Sequence, residues 1–108
     1  MKMIINGRAV DATGGETIDV LNPATGKVVD TVPAATEADV ALAVEKAVQG
    51  QKAWNDVPVH TRGEILMKFV ALVERDKEKL ARTLSDETGK TITEARGEIA
   101  NIFISFPA

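Results

Sequence analysis

The stretch DETGKTITEARGEIA, from Asp86 to Ala100, contains Gly89-Lys90-Thr91, the three residues with which a nucleotide-binding phosphate loop ends. Such a loop has the form Gly-x-x-x-x-Gly-Lys-Ser/Thr and follows a strand, because several backbone N–H groups must converge on the phosphate. Here Leu84 occupies the position of the first glycine, and the apolar spacing before Gly89 is helical. The stretch therefore does not indicate a phosphate site.

In this stretch, Gly89 is better interpreted as the residue that ends a helix. Glycine readily adopts the left-handed conformation found just after many helices. Thr91 followed by Glu94 is a capping box, the pattern with which a new helix begins. The stretch thus predicts a helix stop followed closely by a helix restart.

An earlier helical pattern runs from Thr36 to Trp54. Thr36 and Asp39 form an aspartate variant of the capping box at its start, and the helix is expected to weaken near Gly50. Its predicted core residues are Val40, Ala43, Val44, Ala47, Val48 and Trp54.

The second helix is predicted from Thr61 to Glu87, with Thr61 and Glu64 as its capping box. Around Asp76 it either continues or is capped again. Its predicted buried residues are Ile65, Leu66, Phe69, Leu72, Val73, Leu80, Ala81 and Leu84, and those of the last helix are Ile92, Ala95, Ile99, Ile102, Phe103 and Phe106. Because the last helix is strongly apolar and the sequence stops at Pro107-Ala108, the chain looks cut off.

The first third of the chain alternates polar and apolar residues and predicts strands. Asn6-Gly7 is a strong hairpin signal, and Asn22 to Gly26 is a second turn. The predicted strands are Met3–Ile5, Arg8–Val10, Thr17–Val20 and Lys27–Val32. The fold class is therefore α+β, with two N-terminal β-hairpins followed by three or four α-helices.

Composition excludes several classes of protein. Hydrophobic residues make up 44% of the 108 residues and charged residues 27%, the balance of a globular chain with at most one small domain. The 16 acidic and 13 basic residues give a net charge of −3 without a basic cluster, so no nucleic-acid partner is expected. No apolar run has the length of a signal peptide or a membrane span, which predicts a cytoplasmic protein with no membrane partner. Without cysteine, these residues hold no disulfide, thiolate metal site or cysteine nucleophile.

Few residues are candidates for chemistry. His60 is the single histidine, and it is interpreted as a surface residue. The sequence offers no base-and-nucleophile pair for catalysis, and it lacks the Cys and His spacing that is typical of zinc sites. Trp54 is interpreted as packing rather than as a ligand platform. The carboxylates of the second half alternate with Lys and Arg, as on a solvated helix face, and do not indicate a glycosidase-type acid pair. They are Glu74, Asp76, Glu78, Asp86, Glu87, Glu94 and Glu98.

Two motifs, Asn22-Pro23-Ala24-Thr25-Gly26 and Glu87-Thr88-Gly89-Lys90, are separated by two predicted helices and are specific in combination. With them, the chain resembles the N-terminal segment of the NAD(P)-dependent aldehyde dehydrogenase superfamily. Further segments share the resemblance: Ile5 to Arg8, Val20-Leu21, Lys27-Val28, Thr31 to Thr36, Asp39-Val40, Ala53-Trp54, Arg62 to Leu66, and Glu94 to Glu98. The segment Glu98 to Phe103 is most similar to the semialdehyde and glyceraldehyde-3-phosphate oxidising branches.

The resemblance implies a large α/β parent enzyme that oxidises an aldehyde to a carboxylic acid with NAD or NADP. It also implies that the catalytic cysteine, the general-base glutamate, the oxyanion-hole asparagine and the cofactor-binding motif lie downstream of such a segment. Residues 1–108 would then be the N-terminal part of the fold, with hairpins in 1–33 and helices in 36–106. The cofactor-binding core, the catalytic part and the oligomerisation part would be absent. We expect no catalytic residue, no bound cofactor and no dehydrogenase activity for the chain alone.

The resemblance further implies a structural Na⁺ or K⁺ site. Its ligands would be backbone carbonyls near Val20 and Leu21 and a carboxylate near Glu98. The alternative is that Glu98 is a solvated or salt-bridged helix residue. The residues by themselves leave both interpretations open.

Two hypotheses for function follow. In the first, the chain is a scaffold segment whose partner is the remainder of the parent enzyme. In the second, it is a free-standing α+β module that associates with itself through the apolar C-terminal helix, Ile102 to Phe106, without catalysis.

Overall fold

A computed structural model describes residues 1–106, and its strands lie in the first third of the chain. Strands β1 (Met3–Ile5) and β2 (Arg8–Val10) form an antiparallel hairpin, paired so that the first residue of β1 lies opposite the last of β2. The turn residues Asn6 and Gly7 have φ angles of 52° and 73°, the positive values that a two-residue type I′ turn requires. The predicted Asn-Gly hairpin is confirmed.

Strands β3 (Thr17–Leu21) and β4 (Val28–Pro33) form a second two-stranded sheet. The turn between them is closed by a backbone hydrogen bond from Asn22 N to Lys27 O at 2.8 Å. The Asn22 side chain accepts a further hydrogen bond from Ala24 N at 2.9 Å, a local bond that favours asparagine in turns. The second predicted hairpin is thus present as well.

Helix α1 (Glu37–Asn55) begins after the N-cap Thr36 with the capping box that the sequence indicates. Asp39 N donates to Thr36 Oγ1 at 3.2 Å, and the Asp39 carboxylate accepts from Thr36 N at 2.9 Å. The helix continues through Gly50, so the expected weakening there is wrong. One glycine costs a helix only about 1 kcal/mol relative to alanine, which the rest of a long helix readily offsets.

Helix α2 (Val59–Thr88) is one continuous helix of 30 residues. The capping box predicted at Thr61 is wrong, because the helix begins two residues earlier, directly after Pro58. The fixed backbone angle of proline, here φ −53°, suits a helix start, and Arg62 N already donates to Pro58 O at 3.0 Å. Of the two alternatives at Asp76, the structure shows continuation.

The junction after α2 has the predicted form. Gly89 has a φ of 74° and its N–H donates to Ser85 O at 2.9 Å. Helix α3 (Ile92–Ser105) then begins after Thr91, whose hydroxyl accepts from Glu94 N at 3.2 Å. The helix stop and restart are confirmed. The expected end of the apolar segment at Pro107-Ala108 lies outside the described residues.

The buried core within residues 1–106 is small. Its apolar members are Ala12, Val70, Val73, Ala81 and Ala95, and no large side chain of the described part is fully buried. Several residues expected in the core are instead exposed, namely Val40, Val44, Ala47, Val48, Ile65, Leu66, Phe69, Leu72, Leu80 and Phe106. Helical spacing identifies the apolar side of each helix, but it cannot show whether another element covers that side.

The chain clusters into two compact units. The first contains Met1–Val20 and Val28–Val57, and the second contains Leu21–Lys27 together with the chain from Pro58 onward. The turn between β3 and β4 therefore belongs to the second unit, with α2 and α3. In that unit the rings of Phe69 and Phe106 pack with their centroids 5.5 Å apart.

Candidate functional site

The residues predicted to hold a monovalent cation lie in β3 and α3. Val20 is half-buried and Leu21 exposed at the end of β3. The Glu98 carboxylate, on α3, accepts a hydrogen bond from Lys90 Nζ. This ion pair supports the interpretation of Glu98 as a salt-bridged helix residue. Within residues 1–106, no group of three or more His, Cys, Asp or Glu side chains could hold a metal ion. A cation bound through backbone carbonyls stays a prediction.

A buried carboxylate ties the loop after β2 to the start of α1. Asp39 is 6% exposed, and it accepts hydrogen bonds from Thr13 Oγ1, from Thr13 N at 3.1 Å and from Thr36 N at 2.9 Å. These donors favour the ionised form, and they hold the pKa of Asp39 far below its usual range, with the Thr13 hydroxyl contributing most. Asp39 is therefore an anchor for this loop and not a general acid near neutral pH.

Two carboxylates of the second unit, those of Glu78 and Asp76, are also held in their ionised form. Glu78 accepts hydrogen bonds from Arg96 at 2.7 and 3.0 Å, which lower the pKa of Glu78 and raise that of Arg96. The Arg75 side chain lowers the pKa of Asp76 in the same way. A general acid needs a raised pKa, so these groups serve ion pairing and not acid catalysis.

Surface grooves occur within each unit. One in the first unit, of about 420 Å³, is lined in part by Arg8, Asp39 and Lys46, and one in the second, of about 310 Å³, by Glu78 and Arg96. Each is bordered by charges of both signs. In the first groove the Thr13 hydroxyl lies next to Asp39, but the lowered pKa of Asp39 makes this carboxylate a poor base. The described residues that line the second groove include no hydroxyl or thiol, so neither groove has the arrangement of a catalytic site.

The two motifs behind the family resemblance meet in the second unit. A Cβ atom placed on Gly89 would lie 3.2 Å from Pro23 Cγ and 3.5 Å from Ala24 N. Gly89 therefore serves two purposes, the left-handed turn after α2 and the close approach of the β3–β4 turn. The sequence pattern predicts the first purpose but not the second. The joint occurrence of the two motifs was the signal that could have indicated their contact.

One buried polar atom was not singled out by sequence reasoning. Arg62 Nε is buried and has no hydrogen-bond partner among the described residues. Leaving a buried N–H without an acceptor costs roughly 1–3 kcal/mol, so such an atom calls for an explanation. The buried nitrogen gave no signal in the sequence, because the pattern around Arg62 indicates only a helix.

The remaining candidates occupy ordinary positions. His60 is exposed in the first turn of α2, and Trp54 is half-buried near the end of α1. None of the helices in the described part is both long and apolar enough to cross a membrane.

The chain belongs to the aldehyde dehydrogenase family, whose model matches residues 9–106. A curated relative, malonate-semialdehyde dehydrogenase 1 of Bacillus thuringiensis (strain Al Hakam), is 43% identical over 99 residues. The match covers 92% of this chain and 20% of the relative, so the chain spans about a fifth of the length of that protein. The resemblance stated from the two motifs is confirmed.

Solved structures agree with this assignment. An NAD-dependent aldehyde dehydrogenase from Sinorhizobium meliloti is 39% identical with a TM-score of 0.87, and the match covers 91% of this chain and 20% of that one. An NADP dependent enzyme of E. coli is 36% identical with a TM-score of 0.87, over the same shares of the two chains. The predicted fold class, an α+β segment of an α/β parent, is confirmed.

Proposed function

We propose that this chain is a scaffold segment of an NAD(P)-dependent aldehyde dehydrogenase and that it oxidises no aldehyde by itself. The observation that carries the proposal is the absence of cysteine from all 108 residues of a chain in this family. Without a thiolate the chain cannot form the thiohemiacetal through which the family is expected to react. The chemistry would come from the part of the enzyme that this chain does not span.

The arrangement of the charged groups supports a structural role. Asp39 holds the loop after β2 against the start of α1, and Glu78 on α2 binds Arg96 on α3. Both carboxylates use their hydrogen-bonding capacity to join elements of the chain. We assign NAD or NADP to the parent enzyme and not to this segment.

For the parent enzyme we propose a semialdehyde as the substrate class. The proposal is supported by the curated relatives, which include malonate-semialdehyde dehydrogenases of Bacillus thuringiensis and of Shouchella clausii.

A direct assay tests the absence of activity. The purified chain is incubated with NAD⁺ or NADP⁺ and a panel of aldehydes that includes malonate semialdehyde, and the absorbance of the reduced cofactor is followed. We expect no signal above a blank without protein. Steady production of NADH or NADPH would overturn the proposal.

A chimera tests the scaffold role. The aligned segment of the Bacillus thuringiensis relative is replaced by this chain, and the soluble yield and the dehydrogenase activity are compared with those of the unmodified relative. We expect a soluble, active chimera, because the two segments are 43% identical. A soluble chimera without activity would argue against a purely structural role.

A further inference from the structure

The turn between β1 and β2 places a side-chain amide next to an unhindered peptide nitrogen. Asn6 carries the amide, and the following peptide nitrogen is that of Gly7. This nitrogen can attack the side-chain carbon Cγ of Asn6 and close a cyclic imide. Glycine favours the attack, because it has no Cβ atom to obstruct the approach.

The structure leaves both reacting groups accessible. Asn6 and Gly7 are exposed, and the turn hydrogen bonds of residues 1–106 include none from Gly7 N. A Cβ atom placed on Gly7 would meet no other atom within 4 Å, so the space around the turn is open. The hairpin has strands of only three residues each. A two-stranded hairpin is at best marginally stable, so it opens readily and allows the ring to close.

Two of the other asparagines lack a reactive nitrogen on the residue that follows. Asn22 is followed by Pro23, which has no N–H and cannot form the imide. Asn55 is followed by Asp56, whose N–H donates to Lys52 O at 3.3 Å. This bond must break before the nitrogen of Asp56 can attack.

The fourth asparagine, Asn101, lies inside α3. The nitrogen of Ile102 is held there by the hydrogen bonds of the helix, and the β-branched side chain of Ile102 crowds its approach. Asn6 is therefore the asparagine of the described residues whose following N–H is both free and unhindered.

We propose that Asn6-Gly7 is a modification site at which the chain deamidates spontaneously and converts Asn6 to aspartate or isoaspartate. Gly7 N gives up its proton and bonds to Asn6 Cγ, and the side-chain nitrogen leaves with that proton as ammonia. Water then adds to one of the two imide carbonyls and breaks its bond to nitrogen. Cleavage at Cγ gives aspartate, and cleavage at the main-chain carbonyl carbon gives isoaspartate. The net change exchanges NH for O and needs no oxidant or reductant.

Isoaspartate changes the hairpin, because it adds a carbon atom to the backbone of the turn. A two-residue type I′ turn depends on the φ angles of 52° at Asn6 and 73° at Gly7. The longer turn no longer fits the register that pairs Ile5 with Arg8, so the β1–β2 hairpin should loosen. Either product also adds a negative charge to the groove of the first unit, which Asn6 and Arg8 line.

Peptide mapping tests the site. The purified chain is incubated in a mildly alkaline buffer and digested, and mass spectrometry measures the exchange of NH for O at each asparagine. We expect Asn6 to react at least about tenfold faster than Asn55 or Asn101, where local opening must first free the N–H. Asn22 is the internal control and should not react. Equal rates at Asn6 and Asn101 would overturn the proposal.

The same incubation in urea separates the effect of the fold from that of the neighbouring residue. Unfolding frees the N–H of Asp56 and of Ile102, so the ratio of the Asn6 rate to the rates at Asn55 and Asn101 should fall at least about threefold. An unchanged ratio would show that the fold does not determine the selectivity, and it would overturn the structural part of the proposal.

Trypsin tests the effect on the hairpin, since its cleavage site after Arg8 lies in β2. The incubated chain should be cleaved there at least about threefold faster than the fresh chain, because proteolysis follows the population of the open form. Asn6→Gly is the matched control. It removes the amide but keeps a Gly-Gly pair that supports a type I′ turn, so incubation should change its cleavage rate by less than about twofold. An incubated chain that contains isoaspartate and is cleaved at the fresh rate would overturn the proposed loosening.

Discussion

Replacement of Gly89 by alanine is expected to destabilise the chain through two separable effects. The first is backbone strain, since the φ of 74° costs a residue with a Cβ atom roughly 1–2 kcal/mol. Alanine also restricts the unfolded chain, which offsets about 0.4–1 kcal/mol of this strain. The second effect is steric, because the new Cβ atom would lie 3.2 Å from Pro23 Cγ and would displace the proline ring or the glycine backbone.

Together these effects should lower the free energy of unfolding by about 1–2 kcal/mol, the typical range for backbone strain with modest overpacking. For a domain of this size, each kcal/mol corresponds to roughly 4–8 °C in the melting temperature. Thermal and urea unfolding followed by circular dichroism would measure both quantities.

Two other glycines provide matched controls. Gly26 has a φ of 69°, but a Cβ atom added there would meet no other atom within 4 Å, so Gly26→Ala measures the backbone strain without the contact. Gly97 lies inside α3 with open space around it, so Gly97→Ala should stabilise the chain by about 0.5–1 kcal/mol. We expect Gly89→Ala to be the most destabilising of the three. If Gly89→Ala is no more destabilising than Gly26→Ala, the contact with Pro23 does not constrain the junction. If it is neutral or stabilising, the left-handed turn is not required there either.

Three further outcomes are expected from the structure. The pKa of Asp39 is lowered on folding, so its contribution to stability is present above the unfolded value of 3.8 and is lost as the pH falls toward the folded value. Asp39→Asn should therefore flatten the pH dependence of urea unfolding below about pH 4, and an unchanged profile would contradict the role of this carboxylate. Thr91→Ala removes the N-cap of α3 and should lower the free energy of unfolding in urea by about 1 kcal/mol. Thr61→Ala should lower it by less, because α2 already begins after Pro58. Equal decreases for the two substitutions would refute this assignment of helix starts. The affinity of the isolated chain for NAD⁺, measured by calorimetry, should be too weak to detect, and a saturable binding curve would contradict the assignment of the cofactor to the parent enzyme.

Local signals predicted the elements of this fold well. Asn6-Gly7 has the positive φ angles of a hairpin turn, and Thr91 with Glu94 forms a real capping box, because each depends on residues that are close in the sequence. Thr61 with Glu64 has the same pattern but is not a cap. There the proline at position 58 starts the helix earlier, so the competing local signal prevailed.

Tertiary features were harder to predict. Phe69 and Leu72 lie on the apolar side of α2 as their spacing indicates, yet both are exposed. Spacing defines a side of a helix, while burial depends on an element that can lie anywhere in the sequence or in another polypeptide. Two further features could not be predicted from the sequence for the same reason: the contact of Gly89 with Pro23 and the unpaired Arg62 Nε. Each is defined by atoms that only folding brings together.

The β3–β4 turn has a consequence for the order in which the chain folds during synthesis. Pro23 belongs to the same unit as Gly89, although more than half of the chain separates them in the sequence. At a translation rate of roughly 5–20 residues per second, several seconds pass between the synthesis of the turn and that of its partner. During this interval the hairpin that carries the turn can form only its local hydrogen bonds, and a two-stranded hairpin alone is at best marginally stable. A nascent chain stalled before Gly89 should therefore leave Pro23 accessible to proteases, whereas one extended past α3 should protect it.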